Sequence, residues 1–512
     1  MRRSSLLSLL FVTVALLSAS AQSPKPKLVV TIVVDQFRYD YLTRFRAGYN
    51  GGLEELLTKG AVFTNARYVH YPTVTAVGHS TVLSGALPAV SGIISNEWYD
   101  REMKKSITSV YDPKEKLLGA TGEASSPRRM LVSTVGDELR IVNANSKVIG
   151  ISLKDRGAIL TAGHMGNAAY WFDNKSGGFV SSTFYFKDLP EWVKTFNGGK
   201  PGDKYAETEW MGKKFLAAGE KLNESLAASP WGNELIESFA EHAIESEELG
   251  KRGITDILSV SFSSNDYVGH AMGPDDPQVQ DMAIRTDILL RKFFEYLDKQ
   301  VGMKDVLVVF TADHGVSPVP EVNLARKMEA GRYGAGVIEK SVQAALAAKF
   351  GSGNWVEKSL DNGAMIYLNL DLIRERNLDR AKVNEVAAEG ARNVPHIFRV
   401  YTREQMMNNQ TGTDIAGMAV QNGFYPARGE DIVVIQEPYW LFGATGTSHS
   451  TPFGYDTHVP VIFMGPGVKA GKYYGNVTVN DIAPTLSTLL SVEIPSGAAG
   501  RVLAEMFSKD VN

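Results

Sequence analysis

The 512-residue sequence contains no cysteine. That absence removes disulfides, thiolate nucleophiles, thiolate metal ligands and lipid thioethers together. Histidine is scarce, with nine in the whole chain, so a site built on imidazole has few candidates. Past residue 17 no apolar run reaches the roughly 20 residues that a membrane-spanning helix needs; the strongest apolar stretches are strand-sized. An excess of positive charge is also missing. Lys and Arg number 53 against 57 Asp and Glu, a formal net charge of −4, which argues against a nucleic-acid scaffold because that role wants a basic field. Internal repeats and low-complexity tracts are absent, which sets aside solenoids and disordered arrays.

What is present begins with targeting. Arg2 and Arg3 precede a short apolar segment, Leu6 to Leu17, and Ala19-Ser20-Ala21 forms an A-x-A cleavage pattern. Residues 1–21 read as a secretory signal peptide, with Gln22 opening the mature chain. Together with the lack of cysteine this points to the periplasm. Apolar residues make up 44% of the sequence, ample for a packed core.

The run Lys27 to Val34 (KLVVTIVV) is almost continuously apolar and β-branched, the pattern of a strand buried on both faces of a parallel sheet. Comparable runs recur at Lys147 to Leu153, Thr255 to Phe262, Val306 to Thr311 and Val459 to Met464. Helical patterns lie between or after them at 52–59, 127–144, 233–249, 276–300 and 479–490. The alternation predicts an α/β fold, a doubly wound and mainly parallel central sheet flanked by helices. Two stretches interrupt it. Residues 157–232 mix aromatics with Gly and Ser and read as short antiparallel strands. Residues 318–442 carry helices and strands of their own and read as a smaller cap; His396, inside it, reads as surface or packing. The expected organisation is one domain over 22–512 with these two insertions.

Ligands of such sheets gather at the carboxyl ends of strands. Asp35 ends the first strand. Lys154, Asp155 and Arg156 follow the second. Asp266 and His270, four residues apart and therefore on one side of a helical turn, follow the third, and Asp313 and His314 follow the fourth. Carboxylate–imidazole pairs at neighbouring strand ends predict a two-metal site. Without thiolates the set suits Zn²⁺, with Mn²⁺ or Fe²⁺ as alternatives. Two three-ligand sites need a sixth ligand besides Asp35, Asp266, His270, Asp313 and His314. His449, in a Gly/Ser/Thr loop, and His458, just ahead of the Val459 run, are the candidates. His449 is preferred because His458 would sit at the wrong end of a parallel strand. Thr75 lies between a Pro turn and a helix start, where main-chain amides bind anions and an adjacent metal would activate a hydroxyl. Thr73 and Ser80 compete for that role, and an ordinary capping threonine would look the same. Lys154 and Arg156 point to one side of their strand end. Two such cations would hold the non-bridging oxygens of a dianionic phosphoryl group.

These segments resemble the alkaline phosphatase superfamily, in its phosphodiesterase/nucleotide pyrophosphatase-like branch. The chain is most similar there to bacterial periplasmic alkaline phosphatases with a threonine nucleophile. The resemblance spans Leu28 to Phe507 and rests on VVDQFRYDYL at 33–42, YPTVTAVGHSTVLSG at 71–85, GIISNEW at 92–98, SLKDRGA at 152–158, NDYVGH at 265–270, TADHG at 311–315 and THVPVIFMGPG at 457–467. It implies two Zn²⁺ ions per chain. Asp35, Asp313 and His314 would hold the one beside Thr75, and Asp266, His270 and His449 the other. It implies that Thr75 becomes phosphorylated, that the Asn96 amide holds a phosphoryl oxygen, and that Lys154 and Arg156 mark a monoesterase. Ser450 stands where the family commonly has glycine, so His458 stays open as the sixth ligand. The expectation is a monomer that hydrolyses small-molecule phosphate monoesters. A phosphodiesterase or nucleotide pyrophosphatase on the same fold is the first alternative, and a non-catalytic periplasmic binding protein another. A sulfatase would need its nucleophile motif, which Ser125-Ser126-Pro127-Arg128-Arg129 matches in letters only, well downstream of Thr75.

Overall fold

The computed structural model describes residues 25–508, so the signal-peptide reading of 1–21 lies outside the described residues. Its spine is the strand Leu28–Val34, in which every residue is buried. Ten strands form the central sheet. Their order is Gly471–Tyr473, Ala61–Phe63, Val461–Met464, Val306–Thr311, Leu28–Val34, Asp256–Phe262, Val148–Ser152, Ala168–Asp173, Gly178–Ser182 and Leu117–Leu118. The middle five, from Val306–Thr311 to Ala168–Asp173, run parallel. Their apolar side chains join one large core with the helices Pro230–Ser246 and Pro277–Gln300, each fully buried aliphatic residue contributing about 1.5–3 kcal/mol. The sheet is therefore mixed at its flanks and parallel where the chemistry-bearing segments emerge.

Several details differ from the sequence reading. Val461–Met464 pairs antiparallel with Val306–Thr311, with Val461 opposite Thr311. Its start therefore lies beside the carboxyl end of its neighbour, and the strand-direction argument against His458 does not hold. A four-residue buried run looks the same in either direction. The aromatic-rich part of 157–232 supplies Ala168–Asp173 and Gly178–Ser182, which extend the central sheet. The helix expected over 127–144 is shorter. Pro127–Arg129 forms a 3-10 turn, and the α-helix is Val135–Val142, started by a capping box between Thr134 and Asp137. Helix Pro277–Gln300 begins at Asp276, whose carboxylate accepts from the Gln278 amide.

Within 318–442, a four-stranded antiparallel sheet runs in the order Val356–Leu360, Met365–Leu368, Ile432–Gln436, Ile397–Thr402. Helices Val337–Phe350 and Arg380–Arg392 share its separate core, which includes Trp355, Ile366, Val383 and Val434. Among the described residues no helix is long and apolar enough to cross a membrane.

Candidate active site

Strand register brings the marked residues together. Val34 lies opposite Phe262, Val33 opposite Thr311, and Ser261 opposite Ser152. Asp35, the 263–270 segment, Asp313 and Lys154 thus leave four adjacent strands at one edge of the sheet. Helix Ser264–Met272 then places Asp266 and His270 one turn apart.

The first cluster is Asp266, His270 and His449, whose ligand atoms all lie within 4.8 Å of one another. Nε2 of His270 is 3.2 Å from Asp266 Oδ1, and Nε2 of His449 is 3.8 Å from it. Their Nδ1 atoms donate to backbone carbonyls, His270 to Thr447 at 2.8 Å and His449 to Thr73 at 2.7 Å. A carbonyl only accepts, so Nδ1 carries the hydrogen, and in the neutral ring Nε2 offers its lone pair inward. Such outer bonds orient imidazoles that bind metals.

The second cluster gathers on Asp313: Asp35 and His79 have ligand atoms within 4.8 Å of it and of each other, and His314 joins through Asp313. Asp313 Oδ1 accepts from the Gln36 amide at 3.0 Å, and its Oδ2 lies 3.3 Å from His314 Nε2. His314 donates Nδ1–H to the Gly315 carbonyl at 2.9 Å. Asp35 Oδ1 accepts from Ser261 Oγ at 2.9 Å. The His314 and His449 rings stack with centroids 3.6 Å apart, so the two clusters adjoin. Asp313 Oδ2 and His314 Nε2 are buried without a hydrogen-bond partner, and Asp35 Oδ2 meets only the Lys154 ammonium, at 3.0 Å. Left bare, such atoms cost about 1–3 kcal/mol each. Carboxylate oxygens beside an inward-facing, unpartnered imidazole nitrogen are the donor set that a borderline divalent cation takes. The residues therefore fit a metal.

Charges in the site are strongly coupled. Lys154 Nζ lies 2.6 Å from Asp266 Oδ2 and 3.0 Å from Asp35 Oδ2. Burial works against its charge, but the Asp266 and Asp35 carboxylates outweigh burial and hold Lys154 above its ordinary value. Burial would likewise raise Asp266, yet Lys154 and His270 keep it well below the usual carboxylate range. Asp313 is pushed up by burial and by the neighbouring Asp35 carboxylate. Burial pushes His314 down to about 4 and, with His314 and His270 beside it, holds His449 well below the ordinary imidazole range. Both rings stay neutral, the state that binds metal.

Thr75 opens helix Thr75–Ser84 after the extended residue Val74, and its hydroxyl lies 3.5 Å from Lys154 Nζ. Its two rivals are engaged elsewhere: Thr73 Oγ1 donates to the Thr451 carbonyl, and Ser80 Oγ to that of Val77. Asn96 Oδ1 accepts from the Ala76 amide at 2.8 Å, which fixes Asn96 to the Thr75 turn. The Arg156 guanidinium, partly exposed, has Asp155 at 3.8 Å. His458 lies outside both clusters; it bonds the Thr64 carbonyl through Nε2 at 3.0 Å and stacks on Tyr39. His396 stacks on Trp440. Ser126 caps its own 3-10 turn and donates to Asp112, so the 125–129 tract is a structural turn.

Three participants were missed in the sequence. Gln36 links the two clusters, through its amide to Asp313 and through Nε2 to Asp266 Oδ1 at 2.6 Å. Ser261 is a polar residue in an otherwise apolar strand. His79 lies 3.5 Å from both Asp35 and Asp313, and its spacing of four from Thr75 was the available signal.

A parallel α/β sheet that gathers carboxylates, imidazoles, a helix-start hydroxyl and two cations at one edge defines a metal-dependent hydrolase. The family model for type I phosphodiesterase/nucleotide pyrophosphatase matches residues 29–458, and the chain belongs to that family, within the alkaline phosphatase superfamily. It is 37% identical to the alkaline phosphatase PhoV of Synechococcus elongatus, over 94% of this chain and 93% of PhoV. To the alkaline phosphatase PafA of Elizabethkingia meningoseptica it is 35% identical, over 95% of each chain. The crystal structure of wild-type PafA superposes with a TM-score of 0.88 at 33% identity, covering 95% of this chain and 99% of that one.

Proposed function

We propose that this chain is an alkaline phosphatase, a hydrolase of phosphate monoesters that works through a phosphothreonine at Thr75. The observation that carries the reading is the position of Lys154, within 3.5 Å of the Thr75 hydroxyl and directly on Asp35 and Asp266. A buried ammonium there meets the extra negative charge that a monoester dianion has and a diester lacks.

Asp35, Asp313 and His314 would hold one ion and Asp266, His270 and His449 the second, with Zn²⁺ the metal the donor set suits best. When bound, two such ions would lower the hydroxyl's pKa and offset charge on the attacking and departing oxygens. The protein's own residues do the rest. Helix Thr75–Ser84 aims the Thr75 oxygen from its amino end, where anions bind well. That oxygen attacks phosphorus in line, the P–O bond to the alcohol breaks, and the alcohol leaves with a proton. Asn96, Lys154 and Arg156 hold the equatorial oxygens. Water then attacks phosphorus, phosphate departs and the Thr75 hydroxyl is restored. The 318–442 unit acts as a cap over this edge. Residues 1–21 direct export to the periplasm, where the chain works as a monomer.

Rapid mixing with an aryl phosphate, acid quench and peptide mass spectrometry test the reading. One phosphate per chain on Thr75 is expected, and Thr75→Ala should lose both the adduct and at least ~10³-fold in kcat. Phosphorylation elsewhere, or an active Thr75→Ala enzyme, contradicts it. Phosphodiester hydrolysis is the second reading, favoured by the family model; the same quench with a bis-aryl phosphate would then give the larger burst.

A further inference from the structure

His79 is fully buried at the centre of the site, yet no step above uses it. With Asp35 and Asp313 it forms a three-donor group of metal-site dimensions, all ligand atoms within 4.8 Å. His314 approaches the same oxygen of Asp313, at 3.3 Å. Two imidazoles thus compete for one place, and their hydrogen bonds separate them. A metal needs a free nitrogen lone pair. His79 Nδ1 meets the Thr75 carbonyl at 2.9 Å, so that nitrogen carries its hydrogen, and Nε2 meets Ser261 Oγ at 2.9 Å. Both nitrogens are engaged. His314 spends only Nδ1, on the Gly315 carbonyl, and its Nε2 has no partner.

Ser261 continues the chain. Its hydroxyl lies 2.9 Å from Asp35 Oδ1 as well as 2.9 Å from His79, and Ser152 Oγ supports it at 3.2 Å. The single Ser261 hydrogen goes to Asp35, so His79 Nε2–H donates to Ser261 Oγ, and an imidazole donating from both nitrogens has no lone pair left for a metal. The path of hydrogen bonds then runs unbroken from the Thr75 carbonyl through His79 and Ser261 to Asp35. It joins the first turn of the nucleophile's helix to the end of the sheet's central strand, two elements otherwise far apart in sequence.

We propose that His79 binds no metal and is a positioning residue. With Ser261 it fixes the Thr75 turn against the Asp35 half of the metal site, so that the hydroxyl faces phosphorus in line. The inference rests on the phosphomonoesterase reading, and its test keeps the two apart.

The test compares zinc-loaded wild type with His79→Gln, Ser261→Ala and His314→Ala. Zinc per chain is measured by elemental mass spectrometry after gel filtration. Values of kcat and KM on an aryl phosphate are normalised to active sites by phosphoenzyme burst. His79→Gln and Ser261→Ala should keep the wild-type zinc content while kcat per active site falls about 10- to 100-fold, with KM changed less than threefold. His314→Ala should lose about one zinc per chain. Loss of zinc in His79→Gln would make His79 a ligand and overturn the proposal. So would a kcat within twofold of wild type in Ser261→Ala, or a smaller burst with unchanged turnover per site, which is the mark of a merely structural role. If His79→Gln fails to fold, Ser261→Ala, which removes one oxygen, carries the test. If wild type turns over no monoester, the functional reading fails, while the zinc comparison still decides whether His79 is a ligand.

Discussion

At the scale of single residues, the site depends on polar groups carried into the interior. His70 shows the cost of such burial at a position outside both donor clusters. It is fully buried beside the Pro72 carbonyl, and burial pushes its imidazole down to about 4, against about 6.5 in the unfolded chain. The unfolded state therefore takes up a proton below pH 6.5 that the folded state refuses until about pH 4. Stability from this group is complete above pH 6.5, drains away between 6.5 and 4, and changes no further below that. The full span is worth about 3 kcal/mol, of which roughly 2 kcal/mol is lost by pH 5. Replacing His70 by Gln should leave urea unfolding near pH 7.5 within about 1–2 kcal/mol of wild type and shrink the drop between pH 7.5 and pH 5. Equal drops in both proteins would mean that His70 is not neutral in the fold.

At the scale of elements, helix Thr75–Ser84 is clamped from several sides. A Cβ on Gly78 would stand 2.2 Å from the Asp313 carbonyl, so the helix rests backbone against backbone on the turn that carries Asp313 and His314. Gly78→Ala must wedge the two apart, since neither neighbour is a flexible side chain. The expected cost is about 1–3 kcal/mol in stability. A displacement of that size at the reacting centre should cost on the order of 100-fold in kcat/KM. A variant within twofold of wild type would show that the helix and that turn can part without harm. The 318–442 unit also grips this region. Its helix Ile415–Gly423 accepts the Tyr71 amide through the Ala419 carbonyl. Its buried Asp431 receives Arg101 from the hairpin that follows Asn96, together with Arg380 and the Leu368 amide.

Much of this is legible in the sequence. Strand ends in a parallel sheet are where polar residues survive next to long apolar runs, so Asp35, Asp266, Asp313 and Lys154 stood out. Their convergence follows from the sheet order. What stayed hidden depended on contacts that no local pattern encodes. The short Val461–Met464 run does not reveal its direction, and the Phe/Trp-rich residues near 170 resemble a surface insertion although they extend the main sheet. His79 looked like one more position in a small-residue helix, because its meaning comes from Ser261, 182 residues away. His449 stands out in the sequence only by the Gly/Ser/Thr composition of its loop, and strand direction does not exclude His458, because Val461–Met464 runs antiparallel to its neighbour.

At the scale of the whole molecule, the two donor clusters tie together residues from position 35 to position 449. Ions bound there only in the native state would stabilise the entire fold by mass action, by about 4 kcal/mol when the free ion stands a thousandfold above its dissociation constant. Dialysis against a strong chelator should abolish turnover and lower the thermal midpoint by several degrees. Added Zn²⁺ should restore both. An unchanged midpoint together with unchanged turnover would leave the clusters without a metal role.

The most direct measurement is a paired one, of kcat/KM on an aryl phosphate and on its bis-aryl diester, in wild type and in the Lys154→Ala/Arg156→Ala double variant. Wild type should prefer the monoester strongly, and the double variant should lose at least ~100-fold more on the monoester than on the diester. Equal losses on both substrates, or a wild type that prefers the diester, would contradict the assignment of these two cations to a phosphate dianion.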